Sequence, residues 1–261
     1  FLIFSQKGGS FMIKNRQDTI LDIIKENGFV TVKYLCKKLH YSTATINRDL
    51  NYLQNQKLII RKKGGAEPVQ PKYPPLFLRN EKMKGVKAKL AKEAAKLISD
   101  NMTIFIDGST TTHLIGKYLA EFENLKIITN NMSLAVYLSD LGIEVFCLGG
   151  KIHERPYVVG SFETVQQAAT YNADIVFFST SSITADGKIK CGETFYTFYK
   201  TLLENSKKKV LLADSSKLEY SASRNFGTFN EITTIISDYD FSEETKAKFP
   251  NTEFITVLVE N

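Results

Sequence analysis

Apolar residues recur at helical spacing over the first sixty residues and predict three short helices. The first contains residues 20–24 and ends at Asn27-Gly28, because glycine readily takes the left-handed backbone found at helix ends. The second spans residues 32–39, and the third runs from Ser42 to about residue 54. Thr31 and Ser42 each precede a helix, where a hydroxyl oxygen can accept a hydrogen bond from a free backbone N–H.

A short extended segment follows the third helix and predicts a β-hairpin. Residues 58–60 are apolar, residues 61–63 are basic, and Gly64-Gly65 supplies a turn. Two helices joined by a tight turn, with one helix before them and a hairpin after them, form a winged helix-turn-helix. The first part of the chain is therefore predicted to be a winged helix-turn-helix domain.

Proline marks the boundary between this domain and the rest of the chain. Residues 66–75 hold four of the six prolines, a density that excludes a helix or a central strand and favours a linker. We predict the winged helix-turn-helix domain over residues 12–66, a Pro-rich linker over 67–79 and a larger domain over 80–261. Residues 1–11 precede Met12 and are interpreted as an extension or an expression remnant.

Beyond residue 80, apolar strands alternate with amphipathic helices. The predicted strands cover residues 103–107, 126–129, 144–148, 174–179, 209–213 and 233–237, and the predicted helices cover 82–99, 110–122, 132–141, 163–169 and 194–205. This alternation is typical of a mostly parallel sheet with helices on both faces. The predicted fold class is α/β, with the small winged domain followed by a larger, doubly wound and mostly parallel domain.

Charge is distributed unevenly between the two regions. Residues 1–75 contain 13 Lys and Arg against 5 Asp and Glu, whereas residues 76–261 contain 21 against 23. The net charge of +6 thus comes from +8 in the first region and −2 in the second. A basic module on a near-neutral body favours binding of a polyanion such as DNA, but a solvated basic surface would give the same balance.

Composition excludes several other classes of protein. Hydrophobic residues make up 43% of the chain, as in ordinary globular proteins, and no apolar run reaches the roughly 20 residues of a membrane-spanning helix. Cys36, Cys147 and Cys191 are far apart and match neither a zinc site nor a redox pair. We therefore predict a cytoplasmic protein without a metal ion or a cofactor.

The third helix carries side chains suited to the major groove of DNA. Hydroxyl residues at its start can contact phosphates, Asn47 can pair with adenine, and Arg48 can reach guanine or phosphate. The predicted DNA-binding residues are Thr31, Ser42, Thr43, Thr45, Asn47, Arg48, Arg61, Lys62 and Lys63. A helical protein-binding module with a solvated basic face, in which Arg48 pairs with Asp49, is the alternative.

In the larger domain, polar residues follow several predicted strands. After Asp107, Gly108 lets the backbone approach a ligand closely, and four hydroxyl residues open a helix whose free amides attract an anion. Parallel sheets bind ligands at the carboxyl ends of their strands, so we predict an effector site there, with an ordinary helix cap as the alternative. The predicted effector-binding residues are Asp107, Gly108, Ser109, Thr110, Thr111, Thr112, Thr129, Asn130, Gly149, Gly150, Glu193 and Lys217.

Motifs in both regions resemble those of DeoR-type bacterial transcription regulators, over about residues 14–240. In the first region the matching segments are Val30-Thr-Val-Lys-Tyr-Leu35, Ser42-Thr-Ala-Thr-Ile-Asn-Arg-Asp-Leu50 and Arg61-Lys-Lys-Gly-Gly-Ala66. In the second region they are Thr103 to Thr112, Ile128-Thr-Asn130, Leu148-Gly-Gly150, Val159-Gly160 and Leu211 to Lys217. The resemblance implies a sensor domain related in fold to ribose-5-phosphate isomerase.

By the same resemblance, the protein is a regulator of sugar metabolism genes, usually a repressor. Its affinity for operator DNA would respond to a phosphorylated sugar or a related metabolite, bound by Asp107, residues 109–112, Asn130, Gly150 and Lys217. Paired operator half-sites require symmetric protein modules, so we expect a homodimer or a homotetramer.

Two segments depart from the family pattern. Asn47 stands where the family usually has arginine, which predicts a different operator if this position reads bases. The segment 190–199 contains two Phe and two Tyr where a charged helix start is usual. These aromatic residues would form extra core or a subunit interface, reshape the effector pocket, or accompany the loss of an effector response.

Two other functions are compatible with the sequence. The larger domain would be a sugar-phosphate isomerase if Asp107, Asp186 or Glu193 acted as a base beside the anion site. No paired-carboxylate motif is visible, which favours a regulator without catalytic residues. A DNA-binding protein with no small-molecule effector is the remaining alternative.

Overall fold

The computed structural model describes residues 16–56, 58–68, 76–152, 157–218 and 222–258. These residues fall into two units, one within residues 16–68 and the other within residues 76–258. The predicted extension at residues 1–11, and Pro71, Pro74 and Pro75 of the predicted linker, lie outside the described residues. No helix in the described ranges has both the length and the apolar character needed to cross a bilayer.

The first unit is a winged helix-turn-helix, as the sequence predicts. Its elements are α1 (Arg16–Asn27), β1 (Val30–Thr31), α2 (Val32–Leu39), α3 (Thr43–Asn55), β2 (Ile59–Lys62) and β3 (Gly65–Pro68). The strands form an antiparallel sheet in the order β1-β3-β2. The helices bury Ile24, Leu35, Ile46 and Leu50 completely, and this core holds α3 against the sheet.

Strand β3 extends into the segment that was predicted to be free of strands. Glu67 and Pro68 belong to β3, so the prediction of no central strand within residues 66–75 is wrong for its first residues. The pairing explains why a proline fits there. β1 pairs only with Gly65 and Ala66, whereas Pro68 has only Ile59 of β2 beside it. A residue without an N–H is tolerated at such a strand end.

The second unit contains a seven-stranded sheet in which every neighbouring pair is parallel. Its strands are β4 (Thr103–Ile106), β5 (Lys126–Thr129), β6 (Glu144–Cys147), β7 (Ala173–Phe178), β10 (Ser206–Ala213), β12 (Thr234–Ser237) and β13 (Glu253–Thr256), in the order β13-β12-β10-β7-β4-β5-β6. The helices are α4 (Leu76–Glu81), α5 (Lys84–Ala95), α6 (Met132–Asp140), α7 (Phe162–Ala168), α8 (Tyr196–Glu204) and α9 (Glu243–Lys248). The prediction of a doubly wound sheet is therefore confirmed.

Each face of this sheet buries its own apolar cluster. Ile104 and Ile106 of β4 lie in one cluster with residues of α5 and α6, whereas Phe105 lies in the other with residues of α7 and α8. Successive side chains of a strand point to opposite faces, so a strand covered on both faces is apolar throughout. This explains why the central strands could be recognised as continuous apolar runs.

Three predicted helices differ in the structure. The helix expected over 82–99 is shorter and corresponds to α5, which begins after Met83 because that residue has a left-handed backbone with φ of 56°. Helix α4 lies before it, so the prediction of a linker up to residue 79 is wrong for residues 76–79. The helix expected over 110–122 is a 3₁₀ helix over Thr112–Glu121. The helix expected over 194–205 begins as a 3₁₀ turn, Glu193–Phe195, before α8.

A small antiparallel sheet and the last helix and strand escaped the sequence analysis. The sheet consists of β8 (Ser182–Ile183), β9 (Lys188–Cys191) and β11 (Arg224–Thr228), in the order β11-β9-β8. These strands are short and rich in polar residues, so no apolar run marks them. The same holds for α9, whose six residues include none that is buried.

Candidate DNA interface and effector site

The recognition helix α3 and the helix before it are both capped as the sequence predicts. The Thr31 hydroxyl oxygen accepts a hydrogen bond from the Tyr34 N–H at 3.2 Å, and the Ser42 hydroxyl oxygen accepts one from the Thr45 N–H at 3.2 Å. Ser42 and Thr43 are exposed at the start of α3, next to its free amides. This end of α3 therefore offers hydroxyl and amide donors to an anion such as a DNA phosphate.

The hairpin is tied to α3 through Arg61. Its guanidinium donates to the side-chain oxygen of Asn47 at 2.8 Å and to that of Asn51 at 2.9 Å. Pairing of Asn47 with adenine would use that same oxygen, which can accept two hydrogen bonds, so the base would share it with Arg61. The sequence analysis missed Asn51, which lies one helical turn after Asn47 on the same face.

Asp49 pairs with Arg16 rather than with Arg48. The Arg16 guanidinium holds both carboxylate oxygens, at 2.5 Å and 3.0 Å, and the Gln17 amide donates at 3.2 Å. Burial opposes ionisation of Asp49, but the hydrogen bonds from Arg16 and Gln17 hold its pKa below the ordinary value. The alternative in which Arg48 serves only as the ion-pair partner of Asp49 is therefore wrong, and Arg48 is exposed on α3.

The two predicted lysines of the hairpin differ in their surroundings. Lys62 forms an ion pair with Glu67 on the neighbouring strand, with 3.3 Å between nitrogen and oxygen. Lys63 is exposed in the turn beside Gly64. The charge of Lys62 is thus partly compensated within the hairpin, whereas Lys63 presents its charge at the tip.

In the larger unit, Asp107 follows β4 at the point where the strand order reverses. β5 and β6 continue the sheet on one side of β4, and β7 and β10 continue it on the other. The carboxylate of Asp107 bridges this point, because it accepts a hydrogen bond from the Ser179 N–H after β7 at 3.3 Å. Open parallel sheets bind ligands outside such a reversal point.

Asp107 is buried, and its carboxylate accepts hydrogen bonds from four donors. Thr112 and the Ser109 N–H donate to one carboxylate oxygen at 2.5 Å and 3.2 Å. The Tyr199 hydroxyl donates to the other oxygen at 2.9 Å, beside the Ser179 N–H. Burial raises the pKa of Asp107, and these hydrogen bonds oppose that shift. The Asp107 carboxylate therefore fixes the positions of Ser109 and Thr112 in the loop that follows β4.

The loop after Asp107 lines a small cavity. A side chain on Gly108 would lie 2.5 Å from Val158 and 3.2 Å from the side-chain oxygen of Asn130, so only glycine lets these groups approach. Ser109 and Thr110 line the cavity, whereas Thr111 and Thr112 are buried beneath it. The cavity is lined by Asn80, Gly108, Ser109, Thr110, His113, Asn131, Ser133, Tyr157 and Val158.

The end of β5 supplies a buried amide next to this loop. The Asn130 amide N–H donates to the Val159 carbonyl at 2.7 Å, while its side-chain oxygen is buried without a hydrogen-bond partner among the described residues. Thr129 is buried, and its hydroxyl oxygen accepts from the Asn131 N–H at 3.0 Å. Of these residues only Asn131 lines the cavity, and it was not predicted.

His113 is a second cavity residue that the sequence analysis missed. Its Nδ1 lies 3.4 Å from the side-chain nitrogen of Asn131. Burial lowers the pKa of His113, and the charge of Lys117 acts in the same direction. Its position directly after the run of hydroxyl residues was the available signal, since the first turn of a helix faces whatever its amides bind.

Gly149 and Gly150 lie against α7 and its N-cap, Ser161. The Gly149 N–H donates to Gln167 at 2.9 Å, and its carbonyl accepts from the Thr164 hydroxyl at 2.7 Å. Gly150 has φ of 133°, and a side chain there would lie 2.4 Å from Ser161. These glycines serve the packing of α7, and neither lines the cavity beside Gly108.

Two charged residues that were predicted with the site lie in different places. Glu193 is exposed and forms an ion pair with Arg224 at 2.5 Å, outside the cavity. Lys217 is half-buried at the end of a 3₁₀ turn, Ser215–Lys217, that follows β10. Asp214, directly after β10, is buried, and one of its carboxylate oxygens has no hydrogen-bond partner among the described residues.

Lys87, a buried lysine beside the loop, was not among the predicted site residues. Lys87 of α5 is 4% exposed, and its ammonium donates to the Thr110 hydroxyl at 3.1 Å. The other three lysines of this helix, Lys84, Lys89 and Lys92, are exposed, so the burial of Lys87 could not be predicted from the sequence pattern. Within the described ranges, no cluster of His, Cys, Asp and Glu could hold a metal ion.

Comparison with known proteins decides the family. Residues 82–239 match the family described as the DeoR C-terminal sensor domain, and residues 16–72 match the DeoR-like helix-turn-helix domain. The chain belongs to the DeoR family. Residues 82–239 alone make up more than half of its length. It is therefore a DNA-binding transcriptional regulator, and operator DNA is its partner.

Curated DeoR-family relatives match over nearly their whole length. The transcriptional repressor GlcR of Bacillus subtilis is 31% identical, with 95% of this chain and 93% of that protein covered. The glycerol-3-phosphate regulon repressor of Escherichia coli is 28% identical, with 85% and 90% covered. The L-fucose operon activator of Escherichia coli is 29% identical, with 85% and 94% covered.

Among solved structures, ribose 5-phosphate isomerase from Plasmodium falciparum is 18% identical, with a TM-score of 0.39 over 52% of this chain and 53% of that one. The isomerase alternative fails because the relatives are transcriptional regulators. Two of its candidate bases are exposed and paired. Lys188, and then Thr184, hydrogen-bond to Asp186 and lower its pKa to about 2. Glu193 pairs with Arg224.

The aromatic segment that departs from the DeoR pattern forms core. Phe195, Phe198 and Tyr199 are buried, and the Tyr199 ring stacks on Phe226 with 4.8 Å between ring centroids. The core alternative is therefore confirmed for these three residues. Tyr199 also contacts the loop after β4, because its hydroxyl donates to Asp107. The aromatic segment thus supports the loop rather than presenting a stacking surface in the cavity.

Proposed function

We propose that this DeoR-family protein represses genes of sugar metabolism and that a small phosphorylated metabolite alters its binding to operator DNA. Two of the three relatives described above are named repressors and one an activator, so repression is the direction that we favour. One of the repressors is named for glycerol 3-phosphate, a phosphorylated metabolite of the proposed class. The protein would act in the cytoplasm as a homodimer or homotetramer.

The observation that carries the effector proposal is the loop over residues 108–112. It lies at the reversal point of the sheet, and Ser109 and Thr110 open into a cavity. Beside it, the Asn130 side-chain oxygen is buried without a partner among the described residues. A buried acceptor without a partner costs free energy. Asn130 does not line the cavity, so a sugar hydroxyl would satisfy its oxygen only after the loop opens toward Asn130.

The proposed effector-binding residues follow from this geometry. Ser109 and Thr110 would donate to a phosphate, while Asp107 would hold the loop in place and Asn130 would accept from a hydroxyl. Lys217 would contribute a positive charge from the end of β10. Glu193 and the two glycines at 149 and 150 stay weaker candidates, because they contact other elements.

For the DNA side, we propose that residues 12–66 bind the operator and that residues 67–79 link them to the sensor. Ser42, Thr43 and Arg48 are exposed on α3, and Lys63 is exposed at the hairpin tip. Thr31, Thr45, Asn47, Arg61 and Lys62 complete the proposed interface. The effector would change operator affinity by binding one arrangement of the protein better than the other, since equal binding shifts nothing.

A thermal unfolding experiment tests the proposed effector class. The full-length protein would be heated with phosphorylated sugars, glycerol 3-phosphate and the corresponding unphosphorylated compounds. A ligand at about 100 times its dissociation constant should stabilise the folded state by about 2.7 kcal/mol. Stabilisation by phosphorylated compounds alone supports the proposal. No stabilisation by any phosphorylated compound would contradict it and favour a DNA-binding protein without this class of effector.

A further inference from the structure

Lys87 connects the effector loop with the end of helix α4. Its ammonium donates to the Arg79 carbonyl at 2.5 Å and to the Thr110 hydroxyl at 3.1 Å. Arg79 lies in the last turn of α4, where carbonyls have no partner within the helix. One buried side chain thus contacts the helix C-terminus and the cavity-lining loop at the same time.

The charge of Lys87 is not compensated by these two contacts. Both acceptors are neutral oxygens, and the side chain is almost fully buried. Burial lowers the pKa of Lys87 to about 8, and the charges of Lys217, Arg79 and Lys82 act in the same direction against that of Asp214. The charge of Asp214 favours the ammonium, but both hydrogen-bond acceptors named above are neutral. A buried cation held in this way is costly, so the group that would complete this arrangement is an anion.

Helix α4 itself contributes to the cavity. Asn80, the residue after Arg79, lines it together with Ser109 and Thr110. An anion that reaches the Thr110 hydroxyl would therefore lie within reach of the Lys87 ammonium and next to α4. In sequence, α4 is the first described element after β3, and its first four residues fall within the segment proposed as the linker. A change in how α4 is held would thus occur at the linker end of the sensor unit.

We propose that Lys87 senses the anionic group of the effector and reports its presence to α4. In the absence of the effector, Lys87 holds the Arg79 carbonyl and thereby fixes the end of α4. When a phosphate oxygen lies on the loop at Ser109 and Thr110, the Lys87 ammonium turns to that oxygen and releases the carbonyl. This inference rests on the proposed function, because it requires the effector to be phosphorylated.

The experiment uses the full-length protein and three variants. Lys87→Met removes the charge but keeps most of the side-chain volume, and Lys87→Arg keeps the charge. Lys89→Met is the matched control, since Lys89 lies on the same helix, is exposed and donates to the Leu258 carbonyl at 3.0 Å. The probes are inorganic phosphate, glycerol 3-phosphate and glucose 6-phosphate, each compared with chloride at equal ionic strength.

Two readouts separate binding from its transmission to α4. Thermal unfolding reports whether a probe binds, and hydrogen exchange of the amides over residues 76–83 reports how firmly α4 is held. In the wild type and in Lys89→Met, we expect phosphorylated probes to raise the unfolding temperature and to speed exchange in α4 about tenfold. In Lys87→Met, exchange in α4 should already be fast without a probe, and stabilisation by the probes should be lost. Lys87→Arg should keep part of the stabilisation.

The outcomes distinguish this inference from the proposed function. If no phosphorylated probe stabilises the wild type, the proposed function fails and the inference fails with it. If the wild type responds and Lys87→Met responds equally in both readouts, the inference alone is overturned. A folded Lys87→Arg variant that loses all stabilisation would also overturn it, because the argument rests on the charge. Circular dichroism of each variant identifies those that are folded.

Discussion

The proposed DNA interface and the proposed effector site hold their polar groups in opposite ways. On α3, Ser42, Thr43 and Arg48 are exposed, and their surroundings are set by solvent. At the carboxyl ends of the parallel strands, Asp107 and Thr112 are buried and hydrogen-bonded to each other. The first site presents charge and hydroxyl groups to a large polyanion, whereas the second places a few groups around a small cavity.

Because of this difference, the two sites contribute unequally to the stability of the fold. Exposed polar groups can be changed at little cost to the fold, because water replaces what they lose. When one of two buried, hydrogen-bonded groups is removed, the other is left as an unsatisfied donor or acceptor. We therefore expect variants of Arg48 and Lys63, which hold no other element, to change affinity alone, and variants of Asp107 and Tyr199 to change stability together with any ligand response. The predictions that follow test this contrast, starting with the two cores.

The largest expected effect comes from truncating each core. Phe178 is fully buried in the sensor unit and packs against Tyr199 and Phe226, so Phe178→Ala should lower the free energy of unfolding by about 3–5 kcal/mol. Leu50→Ala should lower that of the winged unit by about 2–5 kcal/mol. Guanidinium unfolding, followed by circular dichroism and tyrosine fluorescence, should show each variant shifting a different transition. A single shared transition that shifts in both variants would remove the basis for treating the units separately.

Removal of Asp107 should be the most damaging change at the sheet edge. Asp107→Ala removes the carboxylate that accepts from four donors, of which Thr112 keeps a second acceptor, the carbonyl of residue 107. The free energy of unfolding should fall by at least about 1–3 kcal/mol. The matched control is Asp186→Ala, since Asp186 is exposed and pairs with Lys188 and Thr184 of its own hairpin, and it should leave the unfolding temperature close to that of the wild type. Thermal unfolding measures both. Equal effects would show that the Asp107 hydrogen bonds do not hold the loop.

On the DNA side, Arg48 should affect binding without affecting the fold. Arg48→Ala should weaken operator binding by about 1–3 kcal/mol if the guanidinium contacts a base. Its unfolding should match that of the wild type, because Arg48 is exposed and Asp49 is held by Arg16. Binding would be measured at fixed salt on duplexes selected from a random library. Lys200→Ala, which removes one positive charge from the sensor unit, is the control, and equal affinities for both variants would exclude a contact by Arg48.

The sequence predicts the fold well where burial imposes a period. The apolar faces of α1 and α3 and the continuous apolar strands of the large sheet were recognisable for this reason. The small sheet of β8, β9 and β11 was not, because short polar strands carry no such period. Helix α4 also escaped prediction, because it directly follows the proline-rich segment that indicated a linker.

The candidate site was predictable only in part, for a different physical reason. The carboxyl ends of parallel strands mark the edge where a ligand binds, so Asp107 to Thr110 and Asn130 could be proposed from sequence alone. His113 and Asn131 lie one to three residues from that motif, but Lys87 comes from a helix before it. Which of many lysines is buried depends on tertiary packing, and no local pattern records it.

A smaller effect is expected from the lysines of the hairpin. Changing Lys62 and Lys63 to Ala should weaken binding to all DNA sequences and reduce the slope of log affinity against log salt by about one per lost phosphate contact. Because Lys62 already pairs with Glu67, we expect Lys63→Ala to account for most of the change. Titrations at several salt concentrations with each single variant measure this. An unaltered slope in the double variant would remove the hairpin tip from the interface.

The smallest expected effect concerns Tyr199, whose ring is core and whose hydroxyl belongs to the site. Tyr199→Phe keeps the stack on Phe226 and removes one hydrogen bond to Asp107, so the free energy of unfolding should fall by only about 0.5–1.5 kcal/mol. Three donors would still hold the carboxylate. The control is Tyr34→Phe in the winged unit, where the hydroxyl is exposed and should contribute less. Thermal unfolding compares the two variants. If Tyr34→Phe cost as much as Tyr199→Phe, the contrast between an exposed and a buried polar site would not extend to single hydroxyl groups.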